Sequence, residues 1–418
     1  MEISLVYEIT DDIRSMLNHK EDTLDDDELL LMIQKKILRD NRTQHMSMAD
    51  KSDLADAVYS SLRKKLDFLE KYLEDADVSE IMVNGCKDIF IEKNGKVLRI
   101  EQSFPGNKEL EEVILRIASK VHREINELNP ILDARLEDGS RIHAVYKNIA
   151  INGPVLNIRK FPKQRLTMDD LIKMKTVTKE CADFLRKLVE SGYNIFISGG
   201  TSSGKTTFLN CLSDFIPANE RVIVIEDSAE LDISGIVNQV RMETRNANVQ
   251  GKGEVTMRNL IKASLRMRPD RIIVGEVRGG EVIDMISAMN TGHSGSLSTG
   301  HANSAEGMLS RLETLFLTSS TFPVDAVRGQ ISSAIDIIIH MGRLSDGSRK
   351  VLEISEVSGM SNGHILLNPL YLYDFTEDNL KATGNPVKDT FRLGINGYGD
   401  IHTLCETCDK QEVPSDGS

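Results

Sequence analysis

The chain has 418 residues, 40% of them hydrophobic, and a formal net charge of −13. That length predicts two or three domains with full cores. No run of 18 apolar residues occurs, which argues against a transmembrane helix, and the acidic balance argues against nucleic acid as the main partner.

The N-terminus, Met1-Glu2-Ile3-Ser4-Leu5, lacks a basic stretch followed by an apolar one, so no secretory signal is expected. Five cysteines over this length fit a reducing, cytoplasmic setting. Cys405 and Cys408 form a lone CxxC near the end, and a zinc ribbon would need a second.

Residues 1–55 read as a polar, acidic, helical segment. Asp25, Asp26, Asp27 and Glu28 lead into Leu29-Leu30-Leu31-Met32, and Lys35, Lys36 and Arg39 follow, as the helix dipole favours. Residues 56–160 predict an α+β domain. Leu62, Leu66, Leu69 and Leu73 recur at helical spacing, so one amphipathic helix is expected over 61–73. Asn84-Gly85 and Asn94-Gly95 mark turns between strands, and 109–121 is a second amphipathic helix. Asp138-Gly139 predicts a two-residue hairpin turn. That register pairs Arg135 with Ile142 and Leu136 with Arg141, which sends Arg135 and Arg141 to opposite faces.

Residues 161–180 read as a linker, with Pro162 against helix continuation. From 181 to 375 strands alternate with helices. Candidate strands are 193–198, 221–226, 236–242, 271–275, 295–299, 335–341 and 350–357. The alternation predicts an α/β fold: a mostly parallel sheet with helices on its faces, closed by antiparallel strands. Residues 376–418 show little periodicity, and no fold is expected there.

Within this domain lies Gly199-Gly200-Thr201-Ser202-Ser203-Gly204-Lys205-Thr206, the GxxxxGKT pattern of a P-loop. An apolar strand precedes it, and Thr207-Phe208-Leu209 begins a helix. The loop's N–H groups and the helix end can cradle phosphate. Lys205 then reaches the β and γ phosphates, and Thr206 ligates Mg²⁺.

Three clusters follow. Val222-Ile223-Val224-Ile225 ends in Glu226-Asp227, which predicts carboxylates at the end of a strand beside the P-loop, where Glu226 can orient and deprotonate water. Arg271-Ile272-Ile273-Val274-Gly275-Glu276 has the form of a Walker B strand, its acid serving Mg²⁺ or the nucleophile. His293 and His301 bracket a short strand. They lack a third metal ligand, so a γ-phosphate or subunit contact for one of them is the better expectation. Between Arg241 and Arg278 nine basic residues face four acids, which suits phosphate chemistry or subunit contacts.

Together these motifs resemble the secretion ATPases of type II and type IV systems. Asp77-Val78-Ser79-Glu80-Ile81-Met82-Val83-Asn84-Gly85, residues 133–141 and Ala302-Asn303-Ser304 look like the CpaF-type ATPases of Tad/Flp pilus assembly. Ser228, where type II relatives often carry proline, and the absence of a four-cysteine loop favour that branch. The resemblance implies a RecA-like core, a cytoplasmic homohexamer, ATP and Mg²⁺ as cofactors, and an inner-membrane platform protein as partner. It implies Glu226 as general base, Glu276 as Walker B acid, His293 and His301 as a histidine box, and Arg135, Arg141 and Arg159 as nucleotide contacts. The rival readings are a conjugation-type secretion motor, a RecA-like nucleic-acid motor and a non-hydrolysing scaffold.

Overall fold

The computed structural model describes residues 3–17, 24–63, 66–121, 123–136, 138–161, 165–245, 247 and 251–398. Cys405 and Cys408 lie outside them. The chain divides into two compact units, Met1–Gln164 and Arg165–Ser418.

The first unit opens with three helices, α1 (Ile3–Met16), α2 (Asp26–Arg39) and α3 (Met48–Arg63). Asp25 caps α2 by accepting from Asp26 N–H, with acids in its first turn and Lys36 and Arg39 in its last. Ile9, Ile13, Leu29, Ile33, Ile37, Leu54, Val58 and Leu62 form the core of this bundle. The helix expected over 61–73 is broken. α3 ends at Arg63, a single 3₁₀ turn spans Asp67–Leu69, and α4 runs Glu70–Glu74. Leu62 packs in the bundle, whereas Leu66 and Leu69 turn into the next core, and the Glu70 carboxylate accepts Leu66 N–H at the break. Leucines at helical spacing therefore serve two cores.

Six strands follow: β1 (Val78–Asn84), β2 (Asp88–Lys93), β3 (Lys96–Arg99), then, after helix α5 (Asn107–Lys120), β4 (Ile131–Arg135), β5 (Arg141–Val145) and β6 (Val155–Arg159). They make an antiparallel sheet of order β3-β2-β1-β6-β5-β4. Leu110, Val113, Ile114 and Ile117 of α5 pack in one core with Ile81, Ile142 and Ile158 of the sheet.

The second unit begins with α6 (Met168–Lys173), inside the stretch expected as linker. Thr167 and Asp170 form a capping box, and Met168 and Leu171 enter the core. Then come α7 (Lys179–Glu190), β7 (Ile195–Gly199), α8 (Lys205–Ser213), β8 (Val222–Glu226), β9 (Gln239–Glu243), α9 (Met257–Ser264), β10 (Arg271–Val274), α10 (Val282–Asn290), β11 (Leu297–His301), α11 (Ala305–Thr318), α12 (Val324–Ala334), β12 (Ile337–Arg343), β13 (Arg349–Ser361), β14 (His364–Asp374), β15 (Asn379–Ala382) and α13 (Phe391–Ile395). The nine strands lie in the order β15-β14-β13-β12-β7-β11-β10-β8-β9. From β12 to β9 they are parallel, and β12 to β15 are antiparallel. Isoleucine and valine runs fill β8 and β10, Ile-Phe-Ile opens β7, and all three strands are buried along their length, as expected of strands covered on both faces. Two apolar cores are built on this sheet.

The region expected to lack a fold instead adds β15 and α13. Its periodicity is weak because polar groups hold it. Buried Glu356 accepts the N–H groups of Lys388 and Asp389. Arg392 pairs with both oxygens of Asp336 and donates to Gly192 O at 2.8 Å. Leu393 is fully buried beneath them. The pair is partly buried, with side chains 27% and 14% exposed, so breaking it on one side costs less than for a fully buried pair, about 2 kcal/mol. Arg392→Ala should therefore lower unfolding stability by about that much, and adding Asp336→Asn should restore at least half. Urea denaturation checks this, and a loss in the single variant below about 1 kcal/mol would contradict the clasp.

Candidate functional site

The phosphate loop leaves the end of β7, the strand flanked on both sides by parallel neighbours. Gly199 must be glycine because Met341 O passes 2.5 Å from where a Cβ would sit. Gly204 takes φ +92, the left-handed conformation glycine adopts freely, and turns the chain into α8. Gly200, Thr201 and Ser202 are exposed, while Thr206 and Thr207 are half-buried in the first turn of α8. Ser203 Oγ is buried without a hydrogen-bond partner.

Lys205 is buried at the first position of α8. Its Nζ donates to Gly199 O at 3.0 Å and Gly200 O at 2.7 Å, folding back onto its own loop. Burial pushes its pKa below the usual lysine value. His301, at the end of β11, brings Nδ1 to 3.4 Å from Lys205 Nζ and Nε2 to 2.9 Å from Glu276 Oε1. The second contact is close but lacks hydrogen-bond alignment, so Glu276 Oε1 is buried without a hydrogen-bond partner. Burial lowers the pKa of His301 against the pull of Glu276. Glu276 Oε2 accepts from Arg278 Nη2 at 2.8 Å, and Arg278 Nη1 donates to Asp227 Oδ2 at 3.2 Å. A continuous line, Lys205–His301–Glu276–Arg278–Asp227, thus runs along the C-terminal edge of the sheet.

Glu226 is not on the strand next to the P-loop. β11 and β10 intervene, and at about 4.8 Å per strand β8 lies about 14 Å across the sheet from β7. On that flank the nearer carboxylate is Glu276, after β10, two strands away. Glu226 is buried, and its Oε1 accepts Glu230 N–H at 2.8 Å and Leu231 N–H at 2.9 Å. Oε2 stands 4.0 Å from Arg241 Nη2. Burial raises its pKa against those hydrogen bonds. Gly275 makes room for it, since a Cβ there would sit 3.1 Å from Glu226 Cγ.

The two histidines separate. His301 is in the site, whereas His293 precedes β11 at the opposite edge, its Nδ1 on Ala288 O at 3.2 Å. The strand alone puts about 13 Å between those edges. The basic segment 241–278 is also divided. Arg258 and Lys262 of α9 pair with Asp284, and Arg271 is buried on Glu220 and the carbonyl oxygens of Val189 and Gly295. Those three residues are structural.

The arginines of the first unit change most. Leu136 N–H donates to Ser140 O and Gly139 N–H to Leu136 O, which makes the hairpin loop longer than two residues. Arg135 therefore pairs with Arg141, and Arg141 with Arg159 on β6. The three side chains form one row on one face, and the expected split between faces is wrong by one residue of register. The row continues into Glu80 of β1, directly opposite Arg159, and Arg135 Nε donates to Gly139 O at 3.1 Å.

Two residues of the site escaped the sequence reading. Arg349 Nε donates to Ser202 O at 3.0 Å, and its Cδ lies 3.1 Å from the Cβ position of Gly204. The Asp346-Gly347 turn could have found its hairpin. His340, on β12, is in register with Ser198 of β7, which no sequence signal shows.

The residues present fit a triphosphate with Mg²⁺. Ser203 Oγ and Glu276 Oε1 are buried polar atoms awaiting a partner. Among the described residues no three His, Cys, Asp or Glu side chains could hold a metal together, and Mg²⁺ characteristically completes its shell with phosphate and water. Thr206 and Glu276 are the residues that would face it.

Fold and loop together define a RecA-like P-loop protein. Residues 63–368 match the family described as Type II/IV secretion system protein, and the chain belongs to that family. An uncharacterised protein of Methanocaldococcus jannaschii is 45% identical over 240 residues, 56% of this chain; the alignment spans 33% of that relative's length. The conjugal transfer protein TrbB of Rhizobium radiobacter is 35% identical over 297 residues, 70% of this chain and 87% of the relative. The type IV secretion system protein PtlH of Bordetella pertussis is 31% identical over 329 residues, 72% of this chain and 97% of the relative. The ATPase DotB of Legionella pneumophila shares the fold, with a TM-score of 0.50 at 18% identity, covering 81% of this chain and 84% of that one.

Glu226 gives a test of placement. Its raised pKa means the charged form weakens the fold above the usual carboxylate range, so Glu226→Gln should be at least as stable as the parent at pH 7 to 8. Glu226→Leu orphans two buried N–H groups and should lose about 2 to 4 kcal/mol. Denaturant titration of both variants decides; equal stabilities would contradict the capping role.

Proposed function

We propose that this chain is an Mg²⁺-dependent ATPase working as a homohexameric motor on the cytoplasmic side of the inner membrane, docked to a platform protein. The carrying observation is the line from Lys205 through His301 to Glu276, Arg278 and Asp227 at the edge where the P-loop opens. On binding, the β and γ phosphates displace the loop carbonyls as the partners of Lys205, and the amides of the loop and of α8 close on the β phosphate. Thr206 and Glu276 would hold Mg²⁺, which would supply neutralisation of the phosphate charge. His301, kept neutral by burial, relays the state of the γ-phosphate between Lys205 and Glu276. Glu276, which His301 links to Lys205, is the carboxylate placed to orient the attacking water; Glu226, the base expected from the sequence, is buried three strands from the P-loop strand with Oε1 holding two N–H groups.

The row Arg135–Arg141–Arg159 supports arginine completion of the site. Three guanidiniums side by side suit a polyanion, and in a ring they can serve a neighbouring subunit. Lys205→Ala should abolish ATP turnover in a coupled phosphate assay; near-normal hydrolysis would sink the reading. Arg159→Ala alone should be poor, and mixing it with Lys205→Ala should restore part of the activity if Arg159 acts across an interface. No restoration on mixing places Arg159 in its own subunit. Single-stranded DNA should not stimulate turnover at physiological salt; strong stimulation would favour a nucleic-acid motor.

Two machines fit this motor. Powering Tad/Flp pilus assembly is supported by the residues at 77–85 and 133–141. Powering a conjugation-type secretion system is supported by the similarity to TrbB and PtlH. Deleting the gene and scoring surface pili against DNA transfer separates them.

A further inference from the structure

One buried titratable group beside the site has no part in that mechanism. His340 of β12 is 8% exposed and in register with Ser198 of β7. Its Nδ1 is 2.8 Å from Ser198 Oγ, and the same Oγ is 3.1 Å from the backbone oxygen of Ser304. Ser198 immediately precedes the phosphate loop. Ser304 is the N-cap of α11, its hydroxyl accepting Gly307 N–H, and it ends the short segment that begins at His301.

These contacts settle where each proton sits. A carbonyl oxygen only accepts, so Ser198 gives its single hydroxyl proton to Ser304. Ser198 Oγ must then accept from His340, and His340 carries its proton on Nδ1. Two charged groups act on this imidazole. Glu353 of β13 is directly opposite it and favours protonation, whereas Lys205 opposes it. Burial is the larger influence and lowers the pKa, so the ring is the neutral Nδ1–H tautomer.

We infer that His340 is a positioning residue of the ATPase site: through Ser198 it holds the start of the phosphate loop and the His301–Ser304 segment at a fixed spacing, without touching nucleotide. The inference rests on the ATPase reading. Strand register fixes β7 against β11 and β12 only as far as Gly199, beyond which the loops leave the sheet. The hydroxyl of Ser198 is a side-chain tie from β7 to β12 and to the segment that follows β11. Without a donor on its lone pair, the hydroxyl can rotate away from Ser304. His301 must keep its approaches to both Lys205 and Glu276, and displacements of about 1 Å are enough to slow catalysis about a hundredfold.

Asparagine at 340 places an amide N–H near the position of Nδ1. Glutamine carries its amide too far, and leucine has no donor. In the full chain, His340→Leu and His340→Gln should lower kcat for ATP about tenfold with KM changed less than about twofold. His340→Asn should stay within about threefold of the parent. Ser198→Ala should match His340→Leu, and the double variant should fall no further, because both remove one link. Parental kcat in His340→Leu, equal impairment of the Asn and Leu variants, or losses that multiply in the double variant would each overturn the inference. If the leucine variant does not fold, the comparison of Asn with Gln decides. A parent chain without ATP turnover would instead overturn the ATPase reading and this inference with it.

Discussion

The burial of one ammonium group sets the character of the site. Lys205 sits where the positive end of α8 already concentrates charge, and a dry environment disfavours a cation. Two loop carbonyls offset that only in part. Arg349 adds a third positive feature on the hairpin side. On the other flank stand Glu276 and Asp227, tied together by Arg278. A polyanion carrying a divalent cation satisfies both flanks at once. The pattern of charge, more than any one residue, points to a nucleoside triphosphate.

The two edges of the nine-stranded sheet have different duties. At the edge away from the P-loop, a network of buried polar groups ties the strand ends together, although Ser191 Oγ and Gln239 Nε2 there have no hydrogen-bond partner. Asn194 serves Ser296 and Ala334, Asp336 takes Asn194 and Arg392, and Arg271 is held by Glu220 and carbonyls. Such networks fix a unique arrangement of strand ends. At the P-loop edge, Ser203 and Glu276 keep buried atoms without hydrogen bonds. Such atoms occur elsewhere among the described residues too, but these two flank Lys205 and His301, where a phosphate and its cation would supply partners.

What the sequence made legible was local. The glycine loop, the β-branched strands and the acid after each strand follow from short-range sterics and burial, and these elements stand close to where the pattern puts them. Sheet order is not local. Nothing in residues 193–230 tells that β10 and β11 insert between β7 and β8, so Glu226 was placed beside the loop when it is three strands away. The hairpin at Asp138 failed for a finer reason: the Leu136–Ser140 hydrogen bond lengthens the loop, and one residue of register moves Arg135 to the other face. His293 and His301 looked like a pair because a strand's length is invisible in a motif. The clasp after residue 382 was missed because buried carboxylates and backbone N–H groups, not apolar periodicity, hold it.

On the proposed ATPase reading, Lys205 waits on its own loop for the β and γ phosphates, with His301 between it and Glu276. A structure of the full chain with Mg²⁺ and a non-hydrolysable ATP analogue tests it most directly. In the filled site Lys205 Nζ should leave Gly199 O and Gly200 O for phosphate oxygens, with Ser203 and Glu276 gaining partners and His301 still between Lys205 and Glu276. Phosphates bound elsewhere, or Lys205 unmoved from the loop carbonyls in the filled site, would contradict it.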